Sequence, residues 1–390
     1  MKLKLYPAGL AGEIIPPPSK SQGHRLLIAN FLAGGGGQVS GLSDSEDMRA
    51  TIRVMTALME RDNREVLHCG ESGSTLRFLI PVALALRGEG RFTGGGKLME
   101  RPQKPYFEMF ERQGIACDLS DGVLMVRGKL QAGVFELAGN VSSQFVTGLL
   151  YALPLLDGES EIRLTSPLES KGYVDMTLEA LARHGIAVEE LESGYRVAGG
   201  QVYQPCAAAV EADYSQAGFF YGARAIGNDV TVTGMNPVSR QGDRVIVDYT
   251  ERLCAGGEVV LDVSQCPDLV PPLALMAALR AGERTVIANA ARLRIKESDR
   301  LETVTSELCK LGAVIEERTE ELIITGVDGF HGGEVVGHND HRIAMMVAIA
   351  ASRADGPVVL DGAEAVNKSY PDFWADYARL GGKFEEIEEG

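Results

Sequence analysis

The chain has 390 residues, 45% of them hydrophobic, with 54 acidic against 38 basic side chains and a formal net charge of -16. The length exceeds one ordinary core and implies two domains, and the apolar fraction excludes a disordered chain. With a single Trp and no Lys/Arg-rich tract, the sequence lacks the basic face that nucleic acid or an anionic membrane requires.

Met1 to Pro7 reads as a strand rather than a charged leader with an apolar run, and the six cysteines form no C-x-x-C pair, which fits a reducing cytoplasm. After Pro16-Pro17-Pro18, Ser19-Lys20-Ser21 opens a helix carrying Leu26, Leu27, Ile28 and Phe31, with Arg25 one turn in. A fixed backbone entering a helix start holds donors still. Glu71-Ser72-Gly73-Ser74-Thr75 opens another helix, and its small residues let backbone N–H groups approach an oxyanion, although taken alone the segment is an ordinary cap. The apolar stretch Phe78 to Leu86 is interrupted by Pro81 and is too short to span a bilayer. Arg101, after Glu100 and before Pro102, stands ahead of the next helix.

Ser142-Ser143-Gln144 opens the run Phe145, Leu149, Leu150 and Leu153, and two hydroxyls plus an amide exceed what one cap needs. Ser170-Lys171-Gly172-Tyr173 opens the following helix. In the second half, Lys296, Glu297, Asp299 and Arg300 crowd a predicted helix start, where cations oppose the macrodipole unless an anion lies nearby. His338-Asn339-Asp340-His341-Arg342 invites a metal reading, since its histidines are i, i+3, but no further His or Cys stands at a ligand spacing. An Asp cap with His and Arg turned toward an anion fits better. Lys368 precedes Ser369-Tyr370-Pro371 at the last helix. Cations gathered at helix starts of an acidic chain point to a small anionic ligand.

Helix starts recur at nearly one offset: Ser21 to Ser215 is 194, Ser74 to Asp268 is 194, and Ser143 to Asp340 is 197. The chain therefore reads as a duplicated domain of three plus three units, too long a repeat for a solenoid. The predicted domains are residues 1–16 with 212–390, and residues 17–211. Two crossings, near Pro17 and Glu211, make a hinge whose closure is expected to bring the helix starts of both halves around a ligand.

With these residues assembled, the chain closely resembles the enolpyruvyl transferase family, in its branch acting on shikimate 3-phosphate. The carrying motifs are Ser19-Lys20-Ser21 with Arg25, Gly70-Glu71-Ser72-Gly73-Ser74, Glu100-Arg101-Pro102, Val141-Ser142-Ser143-Gln144-Phe145, Lys296-Glu297-Ser298-Asp299-Arg300, Asn339-Asp340-His341-Arg342, and Lys368 before Tyr370-Pro371-Asp372-Phe373. The resemblance implies an α/β (α+β) fold of two similar domains, each of three βαβαββ-type units in an inside-out barrel, with the active site in the cleft between them. It implies transfer of the enolpyruvyl group of phosphoenolpyruvate to the 5-hydroxyl of shikimate 3-phosphate, releasing phosphate, in the pathway to chorismate and aromatic amino acids. No metal or organic cofactor is expected, nor nucleic acid or membrane partners, and the expected state is a cytoplasmic monomer.

By motif matching, the resemblance assigns shikimate 3-phosphate to Lys20, Ser21, Arg25, Ser142, Ser143, Gln144, Ser170, Tyr173, Asp268 and Lys296. It assigns phosphoenolpyruvate to Lys20, Gly73, Arg101, Gln144, Arg300, Arg342 and Lys368, and proton transfer to Asp268, Glu297 and Lys20. Gly73 implies sensitivity to glyphosate, which occupies the phosphoenolpyruvate pocket in the family. The chain departs from the common pattern with Arg292 and His24 in place of Asn and with Ser74 in place of Thr. Two rival readings fit less well: the sister enzyme acting on a nucleotide-linked amino sugar, which carries Asn where this chain has Ser21 and a Cys where the loop Gly94 to Glu100 has none, and a silent sugar-phosphate binding protein, which would not need Lys20, Asp268 and Glu297 together.

Overall fold

The computed structural model describes residues 1–60 and 65–387. The chain divides into two compact units, Pro18–Glu211 and Met1–Pro17 with Ala212–Gly390. The first unit holds helices α1 (Lys20–Leu32), α2 (Glu46–Met59), α3 (Gly73–Arg87), α4 (Lys104–Glu111), α5 (Ser143–Ala152) and α6 (Lys171–Arg183). The second holds α7 (Tyr214–Ala225), α8 (Ile246–Cys254), α9 (Val270–Ala278), α10 (Arg300–Lys310), α11 (His341–Ala351) and α12 (Phe373–Arg379). No helix among the described residues is long and apolar enough to cross a membrane.

Each unit carries two four-stranded sheets of one topology. Leu67–His68 runs parallel to Glu89–Thr93, which pairs antiparallel with Val123–Arg127 and through it with Ala116–Ser120. Val134–Leu137, Ser160–Leu164, Gly194–Val197 and Glu189–Leu191 repeat the pattern, as do Val259–Asp262, Arg284–Ala288, Leu322–Thr325 and Val314–Glu317. In the last sheet, Gly333–Val336 lies parallel to Val358–Asp361, and the third position is taken by Lys2–Tyr6, which also pairs with Lys383–Glu386. The opening strand thus completes a sheet of the C-terminal half, and that pairing makes the unit discontinuous. One parallel pair adds to each unit: Gln38–Ser40 with Ala207–Ala209, and Ala11–Ile14 with Asp229–Val232.

Strands such as Glu89–Thr93 and Val123–Arg127 bury alternate residues, whereas α3, α5, α9 and α11 are buried nearly all round. A helix apolar on every side belongs inside, so helices fill each unit and the sheets wall it. The contact between α3 and α5 shows how sequence enforces this. Pro81 lacks the N–H that would bond the Arg77 carbonyl, and the Tyr106 hydroxyl donates to that carbonyl instead at 2.6 Å. A Cβ on Gly148 of α5 would lie 2.2 Å from the Tyr106 hydroxyl and 2.4 Å from the Arg77 carbonyl, so only glycine permits the approach. This packing brings Arg77 on α3 to the start of α5.

Candidate active site

In the Pro18–Glu211 unit the starts of α1, α3, α5 and α6 are tied together by buried polar side chains. Arg25, 2% exposed, donates through Nε to the Tyr173 carbonyl and Thr177 Oγ1, both at 2.9 Å, and through Nη1 to the Ser21 carbonyl at 2.6 Å. Its guanidinium stacks 5.1 Å from the Phe78 ring centre. Burial pulls it down to about 10, so it remains a cation at neutral pH, held by neutral partners. Lys20 pairs with Asp47 of α2 at 2.7 Å. Ser19 and Ser142 act as caps, accepting from the Gln22 and Gln144 amides at 3.3 Å each.

A second knot forms around Gly73. Gln144 accepts from Arg77 Nη1 at 2.8 Å and donates to Ser74 Oγ at 3.1 Å. A Cβ on Gly73 would stand 3.1 Å from Arg101 Nη1 and 3.5 Å from Gln144 Oε1. Among the described residues Arg101 has no ion-pair partner, and its buried Nε is unmatched. A guanidinium with an unmatched nitrogen beside a glycine at a helix start has the chemistry to receive an anion. Ser143 is buried in the first turn of α5, and Ser170 sits at the start of α6 with φ of 56° and no side-chain capping bond. His24 hydrogen-bonds with Thr51 at 2.8 Å, Thr51 with Thr75 at 2.6 Å, and Thr75 with Ser72 at 2.8 Å, a buried chain joining α1 to the start of α3.

In the other unit, cations and carboxylates interlock. Arg300, 1% exposed, donates through Nε to Asp340 at 2.8 Å and through Nη1 to Asp268 at 2.9 Å, and its Nη2 also meets Glu297 and Asp340. Arg342 reaches Asp268 Oδ2 and Ser215 Oγ, each at 3.0 Å, while Lys296 stands 3.5 Å from Asp268 Oδ1. Burial pushes the Asp268 carboxyl up, but Arg342, Lys296 and Arg300 outweigh it and hold the group well below the usual range. Burial draws Lys296 down, with Asp268 opposing. Burial also lowers Arg300, but Asp340, Glu297 and Asp268 more than offset this, and the net shift is upward. Lys368, 5% exposed, donates to the Asn339 carbonyl at 2.5 Å.

The expected residues thus fall into two sets, one per unit: Lys20, Ser21, Arg25, Gly73, Arg101, Ser142, Ser143, Gln144, Ser170 and Tyr173 in the first, and Asp268, Lys296, Glu297, Arg300, Arg342 and Lys368 in the second. The helix after Lys296 starts at Arg300 with Asp299 as its cap, and Lys296 and Glu297 lie in the segment before it. Asp299 prefers the role because its carboxylate accepts from the Glu302 amide at 3.2 Å. Glu297 pairs with Arg300, whose side chain is buried while that of Glu297 is partly so. Asp340 caps α11, accepting from the Arg342 amide at 3.0 Å. Sequence reading assigns no site role to Asp47, Arg77 or Ser215. Arg77 follows Gly73 by one turn, a spacing that could have flagged it; Ser215 stands out only as the repeat partner of Ser21, and Asp47 carries no local signal.

Among the described residues no three of His, Cys, Asp and Glu are placed to hold a metal ion.

The comparisons with known proteins agree with each other. Residues 59–377 match the family model described as EPSP synthase (3-phosphoshikimate 1-carboxyvinyltransferase). A 3-phosphoshikimate 1-carboxyvinyltransferase of Clostridium beijerinckii is 43% identical, covering 100% of this chain and 99% of that protein. In fold the chain is similar to the EPSP synthase of Acinetobacter baumannii, with TM-score 0.77 at 23% identity over 99% of this chain and 100% of that one. It is also similar to the enolpyruvyl transferase NikO of Streptomyces tendae, with TM-score 0.78 at 16% identity over 100% and 99% of the two chains.

Proposed function

The chain belongs to the EPSP synthase (3-phosphoshikimate 1-carboxyvinyltransferase) family, and from that premise we propose that it transfers the enolpyruvyl group of phosphoenolpyruvate to the 5-hydroxyl of shikimate 3-phosphate, releasing phosphate. The observation that carries the substrate assignment is the full-length relative at 43% identity. The geometry supports it with two anion-binding sets, which we assign to one reaction.

Shikimate 3-phosphate is held by Ser142, Ser143, Gln144, Ser170, Tyr173, Arg25, Ser21 and Lys20, with Lys296 and Asp268 on its reacting hydroxyl. Phosphoenolpyruvate takes Arg101, the Gly73 amide, Gln144, Lys20, Arg300, Arg342 and Lys368. Planar guanidinium groups suit its carboxylate and phosphate forks. In the first step the 5-oxygen bonds to C2 of phosphoenolpyruvate, its proton passes to a base, and C3 gains a proton. In the second, a proton leaves the new methyl group, the C2–O bond to phosphate breaks and the double bond returns. Asp268 serves as base, and Glu297 and Lys20 carry the carbon proton.

The cluster around Asp268 suggests how base strength is timed. With three cations in contact, Asp268 is ionised but weakly basic. An arriving carboxylate or phosphate competes for Arg300 and Arg342, draws part of their charge away and leaves Asp268 more basic when substrate is present. Phosphate release that requires both substrates tests the reading. Turnover with a nucleotide-linked amino sugar in place of shikimate 3-phosphate, or phosphate release from phosphoenolpyruvate alone, would overturn it.

A further inference from the structure

In the His338–Arg342 segment, His338 has no assigned part in substrate binding. His338 places its Nε2 2.7 Å from Oε1 of Glu307, a carboxylate on α10 only 1% exposed. Glu307 also accepts from Lys310 Nζ at 2.8 Å on both oxygens, from the Val336 amide at 2.8 Å and from Ser306 Oγ at 2.9 Å. Burial pushes this carboxyl up, but the donors from His338, Lys310, Val336 and Ser306 outweigh it, so Glu307 is ionised at neutral pH.

The backbone beside it is unusual. His338 and Asn339 have φ of 52° and 51°, two consecutive non-glycine residues in the left-handed region, where Cβ crowds the following carbonyl. Such a turn persists only when its surroundings hold it. This one sets up the site: the Asn339 carbonyl accepts from Lys368, and the next side chain, Asp340, receives Arg300 Nε at 2.8 Å and caps α11 ahead of Arg342. His338 to Glu307 is a side-chain tie from the turn to a buried carboxylate of α10.

We infer that His338 is a positioning residue for the phosphoenolpyruvate-binding cations: its bond to the buried Glu307 clamps the left-handed turn at 338–339 to α10, and the turn in turn fixes Lys368 and Arg300. This rests on the functional reading above. His338 itself touches no substrate; it acts through the Asn339 carbonyl and the Asp340 carboxylate.

The test is steady-state kinetics on the full chain with His338→Ala, His338→Asn and His338→Gln. Gln keeps an N–H donor at similar reach, whereas Asn tolerates positive φ but is too short to reach Glu307. Ala and Asn are expected to raise KM for phosphoenolpyruvate about tenfold, the order of one charge-assisted hydrogen bond, while KM for shikimate 3-phosphate stays within about twofold. Gln restores most of the loss. Should the Ala variant fail to fold, the Asn variant carries the comparison, since it keeps the backbone geometry. An unchanged KM for phosphoenolpyruvate in the Asn variant, parallel rises for both substrates, or a Gln variant as impaired as Ala overturns the inference. Absence of turnover in the wild-type chain overturns the functional reading as well, so the two failures are told apart.

Discussion

In the Pro18–Glu211 unit the site cations rest largely on neutral partners or on none, while in the other unit they are locked to carboxylates. Arg25 leans on carbonyls, a hydroxyl and an aromatic face, Arg77 on an amide and a carbonyl, and Lys20 meets a carboxylate, Asp47. Across the chain, Arg300 alone engages Asp268, Glu297 and Asp340, and Arg342 and Lys296 share Asp268. A cation held by dipoles keeps its charge available for a ligand. A cation held by carboxylates shares its charge with them, so a ligand that binds it also changes the ionisation of those carboxylates. The first arrangement suits binding, and the second couples binding to proton transfer.

The largest effect should come from removing a proton carrier. Asp268→Ala and Lys20→Met are each expected to fold and to lose at least about a thousandfold in kcat, within the range for general acid–base groups. Circular dichroism checks the fold, and a loss of less than about tenfold would remove the residue from the chemistry. The contrast between the units is sharpest at two arginines. Arg300→Ala strips the partner from buried carboxylates and should cost about 3–5 kcal/mol of stability in denaturant titration. Arg101→Ala breaks no ion pair among the described residues, so its stability should stay within about 0.5 kcal/mol while KM for phosphoenolpyruvate rises. Equal destabilisation by both would erase the distinction.

A smaller effect is expected at Gly73. The added methyl of Gly73→Ala would press on Arg101 Nη1 at 3.1 Å, so KM for phosphoenolpyruvate and the inhibition constant for glyphosate should both rise, with the melting temperature little changed. Unaltered constants would mean that Arg101 yields without consequence.

The smallest effect is on pH dependence. His24 is fully buried, and burial, followed by the charges of Lys20 and Arg25, holds it well below the ordinary histidine value. The unfolded chain then binds a proton that the folded chain does not, so stability is complete above about pH 6.5 and falls as pH drops below it, by about 1.4 kcal/mol per unit for one group. His24→Asn should flatten that slope in melting curves between pH 6.5 and 5. An unchanged slope would place the acid sensitivity elsewhere.

Much of the site was legible because its residues announce themselves locally. Ser19-Lys20-Ser21, Ser142-Ser143-Gln144 and Asn339-Asp340-His341-Arg342 stand at helix starts, where caps and anion-binding groups share one residue vocabulary. The first residue of α10 is not legible in sequence because Lys296, Glu297, Ser298 and Asp299 all look like first-turn residues, and only backbone geometry shows that Asp299 is the cap. Asp47 escaped notice because an acidic residue early in a helix is ordinary by itself, and its contact with Lys20 joins two helices.

The duplication, the α/β class and the identity of the cationic groups follow from the chain alone, because period, capping and charge are properties of neighbours in sequence. Which cations stay available and which are neutralised was decided only by tertiary structure. Arg101 and Arg300 each stand at or near a helix start and are indistinguishable in sequence, yet one has no carboxylate within reach among the described residues and the other has three. The interaction of charges depends on separations of a few ångströms and on burial, and both are set by contacts between residues far apart in the chain.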